Sequence, residues 1–200
     1  DNLRIMLPMV TSVAEVDEAC RQIDRAVSEL QEEGLDIRRP QVGVMVEVPA
    51  AVYQVHRFAR RVDFISVGSN DLTQYLLAVD RNNPRVAGLY ASYHPAVLRA
   101  LKFIAQEAHR GNVPVSICGE LASEQGGALL LMAMGYDMLS MTATNLPRVK
   151  SAIRSVKKTD ADALLDEVMA MDDADRIQAF ISERLEELGV IQPVKPDVPD

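Results

Sequence analysis

Five short apolar runs, separated by longer amphipathic segments, constrain the fold of this chain most strongly. They lie at residues 4–9, 42–48, 63–69, 113–119 and 137–141. Continuous apolar strands are typical of a parallel sheet that is covered on both faces, because a half-exposed strand alternates apolar and polar residues. The pattern therefore predicts an α/β fold built on five parallel strands.

The segments between these runs carry helix signals. Ser12 and Glu15 have the spacing of a capping box, and Gly34 ends the helix that they begin. Proline or glycine signals mark most of the other predicted helices, at residues 49–61, 95–110, 123–134 and 145–156. Residues 159–189 indicate two further charged helices.

Two architectures fit this order, an open doubly wound sheet or part of a (β/α)8 TIM-type barrel. A barrel collects polar residues from many strand ends at one rim, whereas an open sheet collects them mainly at one switch point. Polar residues recur here at successive strand ends, namely Glu47, Asn70, Asp71, Cys118, Glu120 and Thr142. The pattern favours the C-terminal part of a barrel, about five βα units, with about three strands absent.

The predicted organisation has three parts. Residues 1–157 form the partial barrel, residues 158–190 form C-terminal helices that pack on it, and residues 191–200 form a proline-rich, disordered tail. The first residues enter a strand without a leader, as if the chain were cut from a larger protein. We see no internal repeat beyond the βα unit itself.

Composition and charge exclude some function classes. Hydrophobic residues make up 48% of the 200, enough for one large core, and the formal net charge is −8. That charge argues against a general nucleic-acid surface, which needs clustered Lys and Arg. No apolar run reaches the roughly 20 residues that span a bilayer.

Two carboxylates at neighbouring strand ends could share a metal ion. Glu47 ends one apolar strand and Asp71 follows the next. Mg²⁺ commonly takes one or two protein carboxylates and completes its octahedron with water and substrate oxygens. The alternatives are a structural ion pair for Glu47 and a helix N-cap for Asp71.

The same turn could bind a phosphate. Gly68 and Ser69 allow close backbone approach, so their N–H groups could meet an anion, and Asn70 could add a side-chain amide. Arg81, in the following loop, suits a bidentate grip on phosphate or carboxylate. Asn70 could instead be only a turn residue, and Arg81 only an exposed or ion-paired one.

Cys118 ends another strand, directly before Gly119. A buried strand cysteine is often structural, but a position on the functional rim favours an acid/base or nucleophilic role. The three histidines, His56, His94 and His109, lie on or beside predicted helices without metal-ligand spacing, so we expect surface or cap roles.

The segments DFISVGSNDLTQYLLAVDR, VGVMVEVP and SICGELA closely resemble the C-terminal phosphoenolpyruvate-binding barrel of Enzyme I of the bacterial phosphotransferase system, a phosphoenolpyruvate-protein phosphotransferase. The first segment matches the signature of phosphoenolpyruvate-utilising enzymes. The resemblance covers about residues 3–190. The stretch from residue 81 to 101 looks most like the nitrogen-related branch, which is involved in nitrogen regulation.

The resemblance implies a role for each strand-end residue. Glu47 and Asp71 match Mg²⁺ ligands, Asn70 and Arg81 match residues that hold the substrate phosphate, and Cys118 matches the cysteine that protonates the enol carbon as pyruvate forms. Gly68 and Ser69 belong to the same substrate-binding turn.

The resemblance also implies the setting of the intact protein. According to the resemblance, the intact protein is cytoplasmic and homodimeric. Its expected reaction passes phosphoryl from phosphoenolpyruvate to a histidine on an N-terminal domain and then to an HPr-like phosphocarrier protein. That domain and the barrel-strand arginines that complete the site fall outside this chain, so the fragment alone is expected to hold about half a site.

Two other functions compete with this one. The chain could be a dimerisation or scaffold module without intrinsic activity. It could also be a metal-dependent, aldolase-type lyase acting on pyruvate. No lysine lies at a strand end, which counts against a Schiff-base enzyme.

Overall fold

The computed structural model describes residues 2–191 and contains a parallel five-stranded sheet in the order β1-β2-β3-β4-β5. The strands are β1 (Arg4–Leu7), β2 (Gln41–Val46), β3 (Phe64–Gly68), β4 (Val115–Cys118) and β5 (Met138–Ser140). All five apolar runs therefore form strands, as predicted. The central strand β3 is the most buried, and both edge strands, β1 and β5, are partly exposed.

Ten α-helices occur among the described residues. They are α1 (Val13–Glu32), α2 (Pro49–Val52), α3 (Val55–Phe58), α4 (Ser69–Leu77), α5 (Pro95–Arg110), α6 (Glu120–Ser123), α7 (Gln125–Met134), α8 (Leu146–Ser155), α9 (Lys158–Met169) and α10 (Ala174–Glu187). The capping box at Ser12 and Glu15 is present, and His94 caps α5 by accepting a hydrogen bond from Ala96 N.

One predicted helix is broken. The segment 49–61 forms two short helices, because Gln54 between them has a φ of −115° and a ψ of 1°. Its side-chain amide donates to the carbonyl oxygens of Thr11 and Ala50, at 2.6 and 3.1 Å. The long-range bond to Thr11 ties this turn to the segment after β1, which a sequence pattern does not reveal.

The strand order favours a barrel segment over a doubly wound sheet. Each new strand adds to the same edge of the sheet, and parallel crossovers are almost always right-handed. The connecting helices therefore lie on one face of the sheet, as in a barrel, whereas a doubly wound sheet reverses its order once and covers both faces. The fold is the α/β architecture of a partial TIM-type barrel.

The two last helices share the main core. Leu164 and Leu165 of α9, together with Ile177, Ile181 and Leu185 of α10, belong to one hydrophobic cluster with the strand and helix residues of the barrel. The predicted tail, apart from Ile191, lies outside the described residues. Over residues 2–191, no helix is both long enough and apolar enough to cross a membrane.

Candidate functional site

Glu47 lies just past β2 and is almost completely buried, with 4% of its surface exposed. Its Oε1 accepts a hydrogen bond from Met9 N at 2.8 Å. Met9 reaches this position with a φ of +54°, which is uncommon for a residue with a side chain. A buried carboxylate held by one backbone N–H keeps acceptor capacity for a cation, because an ionised carboxylate offers about four lone-pair sites.

Gly68 makes room for that carboxylate. A Cβ atom at position 68 would lie 2.7 Å from Glu47 Oε2, closer than non-bonded atoms approach. The glycine therefore allows the end of β3 to lie directly against the glutamate at the end of β2. The register supports this placement, since Val46 pairs with Val67 immediately before these two residues.

Asp71 lies in the first turn of α4, whose N-cap is Gly68. The alternative of an Asp71 N-cap is therefore wrong. Its Oδ1 accepts from Arg81 Nη2 at 3.2 Å. Arg81 Nη1 is buried and has no hydrogen-bond partner within the described part of the chain. Buried donors rarely remain unpaired, so this nitrogen marks a place for a further hydrogen-bond acceptor.

Asn70 and Ser69 connect the start of α4 to the end of β4. Ser69 Oγ donates to the carbonyl oxygen of Cys118 at 2.8 Å, and Asn70 Oδ1 accepts from Glu120 N at 3.1 Å. Because the carbonyl side of the Asn70 amide is occupied, its Nδ2 hydrogens are the groups that remain to donate to a ligand.

Cys118 is half-buried at the end of β4, and its Sγ lies 3.6 Å from the carbonyl oxygen of Val67. Burial raises the pKa of the thiol, and the negative charges of Glu47 and Asp71 raise that pKa further. A thiol in this setting keeps its proton at neutral pH, which suits a proton donor better than a nucleophile.

A cavity of about 870 Å³ opens beside Asn70 and Cys118, but Glu47, Asp71 and Arg81 are not among its lining residues. Asn70 and Cys118 form part of its wall, which continues over the end of β5 to Thr142 and Arg148. The cavity lies at the carboxyl ends of the strands, where barrel enzymes bind their substrates.

The structure brings the predicted site residues to one rim. Gly68, Ser69, Asn70 and Asp71 are consecutive, Arg81 pairs with Asp71, and Glu47 and Cys118 flank them on the neighbouring strands. Among the described residues, no group of three or more His, Cys, Asp or Glu side chains could hold a metal ion. Two carboxylates are compatible with Mg²⁺ but not with a closed, all-protein metal cage.

Sequence reasoning missed several supporting groups. Met9 supplies the N–H that holds Glu47, Gln74 Oε1 accepts from Arg81 N at 3.3 Å, and Tyr90 donates its hydroxyl to the carbonyl oxygen of Asn70 at 3.4 Å. Helical spacing does not predict the Gln74 contact, because Arg81 lies beyond the end of α4. Nothing in the sequence distinguishes Met9, because its contribution is a backbone group.

The strand ends therefore form a barrel-rim site that combines two carboxylates, an unpaired arginine nitrogen and a protonated thiol. A sequence profile described as the phosphoenolpyruvate-binding domain of phosphoenolpyruvate-utilising enzymes matches residues 1–158. The chain belongs to this family, as its strand-end motifs predicted.

Curated relatives agree with this assignment. The chain is 48% identical over 92% of its length to the "Phosphoenolpyruvate-dependent phosphotransferase system" protein of Salmonella typhimurium, and covers 25% of that protein. It is 43% identical over 92% of its length to the "Phosphoenolpyruvate-protein phosphotransferase" of Haemophilus influenzae, and covers 32% of that protein. The chain thus spans about a quarter to a third of the length of these relatives.

A solved structure of an enzyme with a different name has a similar fold. The citrate lyase β subunit of Mycobacterium tuberculosis, complexed with oxaloacetate and magnesium, matches with a TM-score of 0.50 and 18% identity. The match covers 76% of this chain and 61% of that one. At this identity the likeness shows the fold alone.

Proposed function

We propose that this chain supplies the Mg²⁺ and phosphoenolpyruvate half-site of a phosphoenolpyruvate-protein phosphotransferase. The observation that carries the proposal is the buried, unpaired Nη1 of Arg81, whose neighbour Nη2 is held by Asp71. A guanidinium that is fixed by a carboxylate on one side and unsatisfied on the other is suited to one oxygen of a phosphate.

The residues present fit a magnesium ion. Glu47 and Asp71 would hold it, because both are carboxylates at adjacent strand ends and Glu47 is buried with only Oε1 engaged, by Met9 N. Mg²⁺ would neutralise the charge of the phosphoryl oxygens during transfer. A magnesium-bound structure with the same fold, the citrate lyase β subunit, supports this choice of ion.

The other side chains have separate tasks. Arg81 and the amide of Asn70 hold the phosphate, assisted by the backbone N–H groups that follow Gly68 and Ser69. Cys118 donates its proton to the enol carbon, so that the product leaves as pyruvate rather than as an enolate.

For the whole protein we propose the partners and setting that the sequence resemblance implies. Phosphoryl passes to a histidine outside this chain and then to an HPr-like phosphocarrier protein. The intact protein is cytoplasmic and homodimeric. Membership of the nitrogen-related branch stays a prediction from the sequence.

Calorimetric titration of phosphoenolpyruvate, with and without Mg²⁺, tests the proposal. We expect Mg²⁺-dependent binding that Asp71→Asn abolishes and that Asp172→Asn, an exposed control between α9 and α10, leaves unchanged. If this chain does not bind, the titration is repeated after joining it to the preceding segment of the Salmonella relative. The absence of binding there would overturn the proposal.

The association state separates this function from a scaffold module. Asp71→Asn should leave the sedimentation behaviour of the chain unchanged while it removes ligand binding. A chain that self-associates and never binds phosphoenolpyruvate, even when extended, would instead be a dimerisation module.

A further inference from the structure

The last residue of β4 and the first residue of α6 are tied to consecutive residues at the start of α4. The carbonyl of Cys118 accepts from Ser69 Oγ, and the N–H of Glu120 donates to Asn70 Oδ1. We call Ser69, Asn70, Cys118, Gly119 and Glu120 the β4 clasp. The register of β3 and β4 ends at the pair Gly68 and Cys118, so the clasp continues the connection where the strand ladder stops.

Gly119 shows how closely the clasp is packed. Its φ of +125° and ψ of −178° are a conformation that is essentially restricted to glycine. A Cβ atom at position 119 would lie 2.1 Å from Ser69 Oγ. The serine hydroxyl therefore lies directly against the backbone of the residue that follows Cys118.

The hydroxyl of Ser69 cannot also donate to a phosphate in this arrangement. Serine has one O–H donor, and here it donates to the carbonyl oxygen of Cys118. The residue is 2% exposed. Its side chain thus acts on the cysteine rather than on the anion.

We propose that Ser69 is a positioning residue that fixes the backbone of Cys118 and thereby the place from which the thiol donates its proton. The inference rests on the proposed acid role of Cys118. Without the Ser69 hydroxyl, the end of β4 opens more often, and the Cys118 thiol then moves away from the carbonyl oxygen of Val67.

Alkylation of the two cysteines by iodoacetamide tests this without any ligand. Mass spectrometry of the peptides that contain Cys118 and Cys20 gives both rates in one sample. Cys20 on α1 is also partly buried and serves as the reference thiol outside the clasp. We expect Ser69→Ala to raise the Cys118 rate about fivefold, the effect of one ordinary hydrogen bond on a local opening. The Cys20 rate should stay unchanged.

Two further variants isolate the hydroxyl. Ser69→Thr keeps an O–H donor and should alkylate at the wild-type rate. Ser116→Ala is a matched control, because Ser116 Oγ donates to the carbonyl of Ile65 within the same strand pair, at 3.3 Å. It should leave the Cys118 rate unchanged. An unchanged Cys118 rate in Ser69→Ala, or equal acceleration of both cysteines, would overturn the proposal.

A second measurement separates positioning from phosphate binding. In the form of the chain that binds phosphoenolpyruvate, Ser69→Ala should slow the Mg²⁺-dependent exchange of pyruvate methyl protons with D₂O about fivefold. The affinity for phosphoenolpyruvate should not change. A loss of affinity would make Ser69 a phosphate ligand and overturn the proposal, whereas absence of exchange in the wild type would count against the proposed function itself.

Discussion

The β2–β3 half and the β4–β5 half of the sheet begin alike and end differently. At their amino ends, Val42 N and Val115 N each donate to an aspartate Oδ2, of Asp63 and Asp137 respectively, both at 2.8 Å. The backbone N–H of each aspartate in turn donates to the carbonyl oxygen of the same valine, at 2.7 and 3.0 Å. Aligned on these bonds, residues 42–47 correspond to 115–120, and residues 63–71 correspond to 137–145.

The carboxyl ends of the two halves carry different chemistry. Glu47 is buried, whereas its counterpart Glu120 is exposed in the first turn of α6. Asp71 corresponds to Asn145, the N-cap of α8.

Gly68, which leaves space for Glu47, corresponds to Thr142. Both halves therefore share one exchange of two hydrogen bonds between an aspartate and a valine, which we call the staple. The carboxyl ends of β2 and β3 carry two carboxylates, Glu47 and Asp71, whereas those of β4 and β5 carry only Glu120. This division fits a barrel, in which one end serves stability and the other serves chemistry.

The largest expected effect contrasts the two glutamates. Glu47→Gln should weaken Mg²⁺-dependent phosphoenolpyruvate binding about 100-fold or more, since a metal site with two carboxylates loses one of them. Glu120→Gln should leave binding unchanged. Calorimetry measures both.

Melting curves without Mg²⁺ complete this test. Glu47→Gln should melt at the same or a higher temperature, because the amide oxygen can still accept from Met9 N and no charge is buried. Equal losses of binding in the two glutamine variants would contradict the expected difference between the carboxyl ends of the two halves.

The second effect concerns the space between Gly68 and Glu47. Gly68→Ala should lower the free energy of unfolding by about 1–3 kcal/mol, because the new methyl group overlaps Glu47 Oε2. Urea denaturation measures this loss. Gly88→Ala is the control, since no atom lies within 4 Å of the Cβ position there. A Gly68→Ala variant as stable as that control would show that the rim is loosely packed.

The third effect concerns the shared staple. Asp63→Ala and Asp137→Ala should each cost about 1–2 kcal/mol at neutral pH, because each leaves a valine N–H unpaired. Similar losses, measured by urea denaturation, would support the equivalence of the halves. A loss confined to one variant would contradict it.

The pH dependence of the Asp137 staple has a definite sign. Burial raises the pKa of Asp137, but the hydrogen bonds from Val115 N and His109 outweigh burial, so that the net pKa is lowered. The folded pKa thus lies below the unfolded one, and the contribution is present above the ordinary carboxyl range and lost as the pH falls through the folded pKa. The difference between wild type and Asp137→Ala should shrink in acid.

The smallest effect tests whether one substitution can create a metal site at the carboxyl ends of β4 and β5. Asn145→Asp places a carboxylate at the position that corresponds to Asp71 of the β2–β3 half. It should add a few tenths of a kcal/mol through the favourable charge at the start of α8. It should not create a second Mg²⁺ site, since Glu120 is exposed and Thr142 fills the place of Gly68. A second magnesium-binding event in calorimetry would contradict this expectation.

Much of the fold was predictable because it depends on local periodicity. Five apolar runs gave five parallel strands, and capping signals located α1 and α5. The break at Gln54 was not predictable, since it depends on a contact with Thr11 that is distant in the chain. The repeat of the two halves was also hidden, because a shared hydrogen-bond pattern, rather than residue identity, makes them equivalent.

The sequence by itself determined which chemical groups stand at the strand ends, since the apolar runs end within one residue of Glu47, Gly68 and Cys118. Only the tertiary structure decided how these groups are used. It buried Glu47 against Met9, left one nitrogen of Arg81 unpaired and turned the Ser69 hydroxyl toward Cys118. These are contacts between segments far apart in the chain, and their energies depend on burial and on backbone groups that every residue shares.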